Sequence, residues 1–98
     1  MNWRSKKWLK LAQEAPHCFG CKATNFGQVV ACHSNKIKHG RGMGIKAHDI
    51  CPYLCASCHD IVDGRTPGFE QRERDLLFYE ALYLTVLWLL QEGYLDVV

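Results

Sequence analysis

The chain has 98 residues, 48% of them hydrophobic and 22% charged, and a formal net charge of +2. This is ordinary globular composition, which excludes disorder and fibrous repeats. The length allows one domain that hides only about two-thirds of its unfolded surface, so its small core needs help. The charge is unevenly spread: residues 1–50 carry nine Lys/Arg against two acids, Glu14 and Asp49, whereas residues 51–98 carry three against eight. The basic half suits a polyanion, or else forms a solvated face opposite an acidic one.

In chain order, residues 1–15 read as a basic amphipathic helix ended by Pro16. The first eight residues are basic but run into Leu9–Glu14 with no apolar run of signal-peptide length. A reducing cytoplasm is therefore the expected setting, and clustered thiols there are expected to hold metal rather than pair as disulfides. His17 to Cys21 is a tight turn in which Gly20 is expected to take a positive φ. Gln28 to Cys32 reads as a short strand, Ser34 to Gly44 as a flexible basic loop, and Pro52 to Leu54 as a brief second strand.

Ala56 to Asp63 makes about two helical turns, closed by Gly64. After a turn at Thr66-Pro67-Gly68, a long helix is expected from Phe69 or Glu70 to about Glu92, stopped by Gly93. Its apolar residues cover more than one face, which calls for burial against the domain or against a second copy in a homodimer. The run Leu76 to Leu90 is shorter than a bilayer span and contains Glu80, so no membrane role is expected. The whole reads as a single domain, 1–98, with a core over 16–64 between the terminal helices over 1–15 and 69–93.

The chain has six cysteines, and four of them form two Cys-x-x-Cys pairs, Cys18/Cys21 and Cys55/Cys58, with 33 residues between the pairs. Each pair lets one turn present two sulfurs to one ion, and four thiolates in tetrahedral array form a structural Zn²⁺ site. A redox dithiol is disfavoured because no βαβ pattern surrounds either pair. Cys32 and Cys51 read most simply as small buried hydrophobes. His17 is a second-rank ligand, while His39 and His48 read as loop histidines, solvated or facing phosphate. His59 and Asp63 are four residues apart on one helix face, where they can hold one cation between them.

Three segments carry a resemblance. Ala31-Cys32-His33-Ser34-Asn35, Gly40-Arg41-Gly42-Met43-Gly44-Ile45-Lys46-Ala47-His48-Asp49 and Leu54-Cys55-Ala56-Ser57-Cys58-His59-Asp60-Ile61-Val62-Asp63-Gly64 look like HNH, or ββα-metal, nucleases. More narrowly they look like the small YbcO-type nuclease-like proteins of lambdoid phages and prophages. The resemblance implies an α+β fold: a small ββα-metal domain with a Cys₄ zinc knuckle and a long C-terminal helix. It also implies metal-dependent endonuclease action on DNA, in phage or prophage recombination or DNA processing in the bacterial cytoplasm.

By position, the resemblance makes His33 the general base, and His59 with Asp63 the ligands of a catalytic divalent ion, Mg²⁺, Mn²⁺ or another. The residue before the base, often Asp or His in that family, is Cys32 here, so either Cys32 is a weak ligand or only two protein ligands serve. Asp49 stands where the family has Asn, and either orients His33 or ligates metal. Asn35 follows the base too closely to replace that Asn. Lys36, Lys38, Arg41 and Lys46 in the intervening loop are the expected DNA contacts, and Arg4, Lys6, Lys7 and Lys10 could extend them. Trp3 and Trp8 read as packing residues. The alternative function is a non-catalytic zinc module that binds DNA or a protein.

Overall fold

A computed structural model of the chain describes residues 1–97. Ser5 opens the first helix, its hydroxyl accepting from the Trp8 N–H at 3.0 Å. The helix, α1 (Lys6–Lys10), tightens at once into a 3₁₀ turn, Leu11–Glu14. The expected helix over 1–15 is therefore shortened at its start. Residues before Ser5 are extended because their polar groups bond the loop ahead of the second strand: Trp3 N–H donates to His48 Nδ1 at 2.8 Å, and Asp49 N–H to the Trp3 carbonyl at 3.0 Å.

Two short antiparallel strands, β1 (Val30–Ala31) and β2 (Tyr53–Leu54), pair Val30 with Leu54 and Ala31 with Tyr53. The strand expected over 28–32 is cut at both ends for local reasons. The Gln28 side chain folds back onto the turn before it, donating to the Thr24 carbonyl at 2.6 Å. Beyond Ala31, Cys32 N–H still donates to the Pro52 carbonyl at 2.9 Å, but Pro52 has no N–H to return and the ladder stops.

Helix α2 (Ala56–Val62) ends at Asp63, and Gly64 takes the left-handed φ of 77° that closes it. Helix α3 (Gln71–Gln91) starts with a reciprocal capping box between Glu70 and Glu73 and ends before Gly93, again at φ 77°. Both helices match the expected spans to within a residue or two. The loop after β1 is more ordered than expected, holding a 3₁₀ turn at Ile37–His39.

The core lies where α1, the sheet and α3 meet, around Ala12, Phe19, Val29, Tyr53, Leu54, Phe78, Ala81 and Leu89. Thr85, buried in mid-helix, accepts from the Tyr53 N–H at 3.1 Å and donates to the Ala81 carbonyl at 2.8 Å, so the edge of β2 leaves no orphan donor there. One side of α3 is thus covered. The other exposes Leu76, Tyr79, Tyr83, Leu84, Leu87 and Leu90, the surface on which the homodimer expectation rests. Among the described residues, no helix is long and apolar enough to cross a membrane.

Candidate functional site

Cys18, Cys21, Cys55 and Cys58 come together with their sulfurs within 4.8 Å of one another. Cys21 Sγ and Cys55 Sγ are 3.7 Å apart, close to the roughly 3.8 Å edge of a tetrahedron built on Zn–S bonds of ~2.3 Å. Three N–H groups aim at Cys18 Sγ, from Gly20 at 3.3 Å, Cys21 at 3.5 Å and Cys55 at 3.3 Å. Burial opposes the Cys18 thiolate, but these N–H groups overcome it and bring the thiol down to about 7. The donor set fits a structural metal ion such as zinc, and the other three sulfurs leave no protein position open.

Gly20 serves this knuckle differently from the expectation. The left-handed residue is Lys22, at φ 66°; Gly20 is needed for space, since a Cβ there would lie 2.9 Å from Cys58 Sγ and 3.0 Å from Leu77 Cδ1. His17 packs edge-on against Phe19 at 5.0 Å and is not one of the clustered donors.

On the far side of α2 lies a cleft of about 460 Å³ lined by Ala31, His33, Asn35, Arg41, Lys46, His59, Asp63 and Arg65. The helix builds it economically: Cys55 and Cys58 serve the knuckle, while His59, about 100° round the helix from Cys58, and Asp63 at its C-cap line the cleft. His59 Nδ1 lies 2.9 Å from Asp63 Oδ2. Cys32, just past β1, is wholly buried, and its Sγ, a His59 ring nitrogen and an Asp63 oxygen all fall within 4.8 Å of one another. Burial pushes the Cys32 thiol up to about 12, with the Asp63 charge adding to it.

His33 enters the cleft from the end of β1. Its Nε2 is 2.7 Å from Asp49 Oδ1, and the buried Asp49 also accepts from Arg4 Nη1 at 3.0 Å and from the Ser5 N–H at 2.8 Å. Burial alone would raise the Asp49 carboxyl, but the bonds from His33, Ser5 and Arg4 outweigh it and hold the group below the usual carboxylate range. Asp49 is thus held by three partners, and it stands outside the Cys32–His59–Asp63 cluster.

Of the four expected DNA contacts, Arg41 and Lys46 line the cleft. Lys36 turns away to pair with Asp75 of α3 at 3.1 Å, and Lys38 lines a neighbouring apolar hollow with His39, His48 and Tyr79. Arg4 is also diverted, reaching the Ala47 and Lys46 carbonyls as well as Asp49. His39 and His48 are not simply solvated: His39 bonds Ser34 Oγ at 2.5 Å, and His48 accepts from Trp3. Trp8 is a packing residue, its Nε1–H donating to the Cys51 carbonyl at 2.9 Å.

Two cleft residues were missed in the sequence. Asn35 donates to Asp63 Oδ1 at 2.6 Å and accepts from Arg41 Nη1 at 2.8 Å, so its closeness to His33 in sequence does not keep it from the site. Arg65 lies 3.5 Å from Asp63 and 3.1 Å from Asp60. Its signal was its place directly after the glycine that ends α2. No protein-family model, curated protein or solved structure matches this chain.

Proposed function

We propose that the protein is a metal-dependent endonuclease of the HNH, or ββα-metal, kind that hydrolyses DNA phosphodiester bonds in phage or prophage DNA processing. The observation that carries this reading is the His33–Asp49 pair at 2.7 Å on the wall of a cleft that also holds His59 and Asp63. An imidazole whose Nε2–H is held by a carboxylate has its lone pair at Nδ1, the form a general base needs. Asp49, fixed by Arg4 and Ser5, sets that tautomer and the angle of the ring.

The imidazole and carboxylate of His59 and Asp63 fit a divalent ion. When bound, that ion would supply Lewis-acid stabilisation of the charge developing on the phosphate and the leaving oxygen. The chain's own residues do the rest. His33 takes a proton from the attacking water. Arg41, Lys46 and Arg65 line the same cleft and attract and orient the phosphate. Asn35 steadies Asp63 from behind. The Cys₄ centre holds α2 in place, so the two ends of the constellation keep their distance.

The test is plasmid nicking. Wild type should nick supercoiled DNA with an added divalent ion and stop when EDTA is added; His33→Ala should abolish cutting while the zinc content stays at the wild-type level. Failure of wild type to cut with Mg²⁺, Mn²⁺, Co²⁺ or Zn²⁺ while still binding DNA sinks the catalytic reading and leaves a zinc-stapled binding module.

A further inference from the structure

We infer that Cys32 is the metal-selecting donor of the cleft, making with His59 and Asp63 a sulfur–nitrogen–oxygen site for a thiophilic divalent ion such as Zn²⁺ or Co²⁺ in preference to Mg²⁺. The inference extends the metal centre of the proposed nuclease, but it concerns binding and is read without DNA cleavage.

Three observations support it. The donor atoms come from two separate segments, the residue after β1 and α2 with its C-cap, yet lie within 4.8 Å of one another, so small side-chain movements bring them to the ~2.0–2.3 Å bonds of a zinc-class ion. Two of the three donors are also held by neighbours. Cys32 N–H is fixed to the Pro52 carbonyl at 2.9 Å, and Asp63 keeps its Oδ1 on Asn35 at 2.6 Å, which leaves Oδ2 on the His59 side. Finally, Cys32 is wholly buried while His59 and Asp63 line the cleft, so the three protein ligands leave positions on the cleft side for water or phosphate oxygen.

A buried cysteine is often no more than a small hydrophobe, and Cys51 shows what that looks like. It is as fully buried as Cys32, yet it belongs to neither cluster of potential metal ligands. Burial does not distinguish the two thiols; the neighbouring imidazole and carboxylate do. Mg²⁺ demands oxygen donors in near-octahedral array and gains little from sulfur, whereas Zn²⁺ and Co²⁺ bind thiolate, imidazole and carboxylate together. On binding, the thiol proton passes to solvent and the ion takes its place on Sγ, with no change of oxidation state.

The experiment uses full-length protein with zinc in the Cys₄ centre, cleared of weakly held metal and titrated with Co²⁺ while zinc release is monitored. One Co²⁺ should enter per chain without displacing zinc, with visible ligand-field bands and a near-ultraviolet sulfur-to-cobalt charge-transfer band. Millimolar Mg²⁺ should not compete. Cys32→Ser should lose the charge-transfer band and weaken Co²⁺ binding at least tenfold, while Cys51→Ser keeps both.

Asp63→Asn, which leaves every thiol in place, should also weaken Co²⁺ binding and so guards against a folding defect peculiar to Cys32→Ser. Cys32→Asp should narrow the preference for Co²⁺ over Mg²⁺ at least tenfold. The inference is overturned if Co²⁺ binds wild type without charge transfer, if Cys32→Ser binds it as tightly, or if Mg²⁺ displaces it at comparable concentration. It fails separately from the nuclease reading. A thiolate-bound Co²⁺ in a protein that never cuts DNA sinks only the nuclease, while Mg²⁺-driven cutting unaltered by Cys32→Ser sinks only the selectivity.

Discussion

The two sides of α2 use similar side chains for opposite ends. Toward the core, Cys55 and Cys58 join Cys18 and Cys21 in an all-sulfur cluster with three of its four residues buried. Toward the cleft, His59 and Asp63 meet Cys32 in a mixed cluster, and five further polar or charged side chains line that cleft. Four like, anionic donors close a coordination sphere and favour permanence; three unlike donors leave positions vacant for exchange. One seven-residue helix carries both because adjacent positions, Cys58 and His59, are rotated by about 100°. The clasp therefore positions the cleft directly, through the backbone of α2.

Removing the clasp should have the largest effect. Chelation of zinc, or Cys58→Ser, should unfold the chain, since structural zinc contributes on the order of 10 kcal/mol in small zinc domains. Loss of helical circular dichroism on chelation and its return with Zn²⁺ is the measurement; a chain that keeps its cooperative melt without metal would break the comparison. His33→Ala should do nearly the reverse, keeping a cooperative melt, lowered only by the loss of one partner of Asp49, and reducing DNA nicking by about 100-fold or more.

Asp49→Asn lies between these extremes because it leaves Arg4 and the Ser5 N–H short of a charged acceptor. It should cost about 1–3 kcal/mol in urea denaturation and also slow cutting. The Asp49 carboxyl is depressed in the folded state, so its stabilisation is complete above the unfolded value near pH ~4 and is lost as pH falls through the folded one. The stability gap between wild type and Asp49→Asn should accordingly close in acid. A gap that persists at low pH would assign the loss to packing instead.

Gly20→Ala tests how tightly the clasp is built. The added carbon would meet Cys58 Sγ at 2.9 Å, and the expected overpacking cost is about 1–3 kcal/mol, together with weaker zinc retention against a competing chelator. The smallest contrast concerns the lysines. Lys46→Ala should lower the slope of log DNA affinity against log salt by roughly 0.9, one phosphate contact. Lys36→Ala, already engaged with Asp75, should change it much less. Equal losses would show that the nucleic-acid path runs beyond the cleft toward α3.

Much of this was legible before any fold was seen, and for identifiable reasons. The Cys-x-x-Cys pairs, the His59/Asp63 face and the ends of α2 and α3 depend on spacing within one turn or one helix, and local geometry hardly varies with context. The sequence by itself thus determined the Cys₄ cluster, the α+β class and the imidazole–carboxylate pair. Tertiary structure alone decided the rest: that Asp49 bonds His33, Arg4 and Ser5, that Asn35 and Arg65 sit on Asp63, that Lys36 leaves the cleft, and that Cys32, unlike Cys51, lies beside two further donors. These outcomes depend mostly on contacts between segments far apart in the chain, 45 residues in the case of Arg4 and Asp49. Periodicity carries no information about such contacts, because they are selected by which loops the packed core brings together.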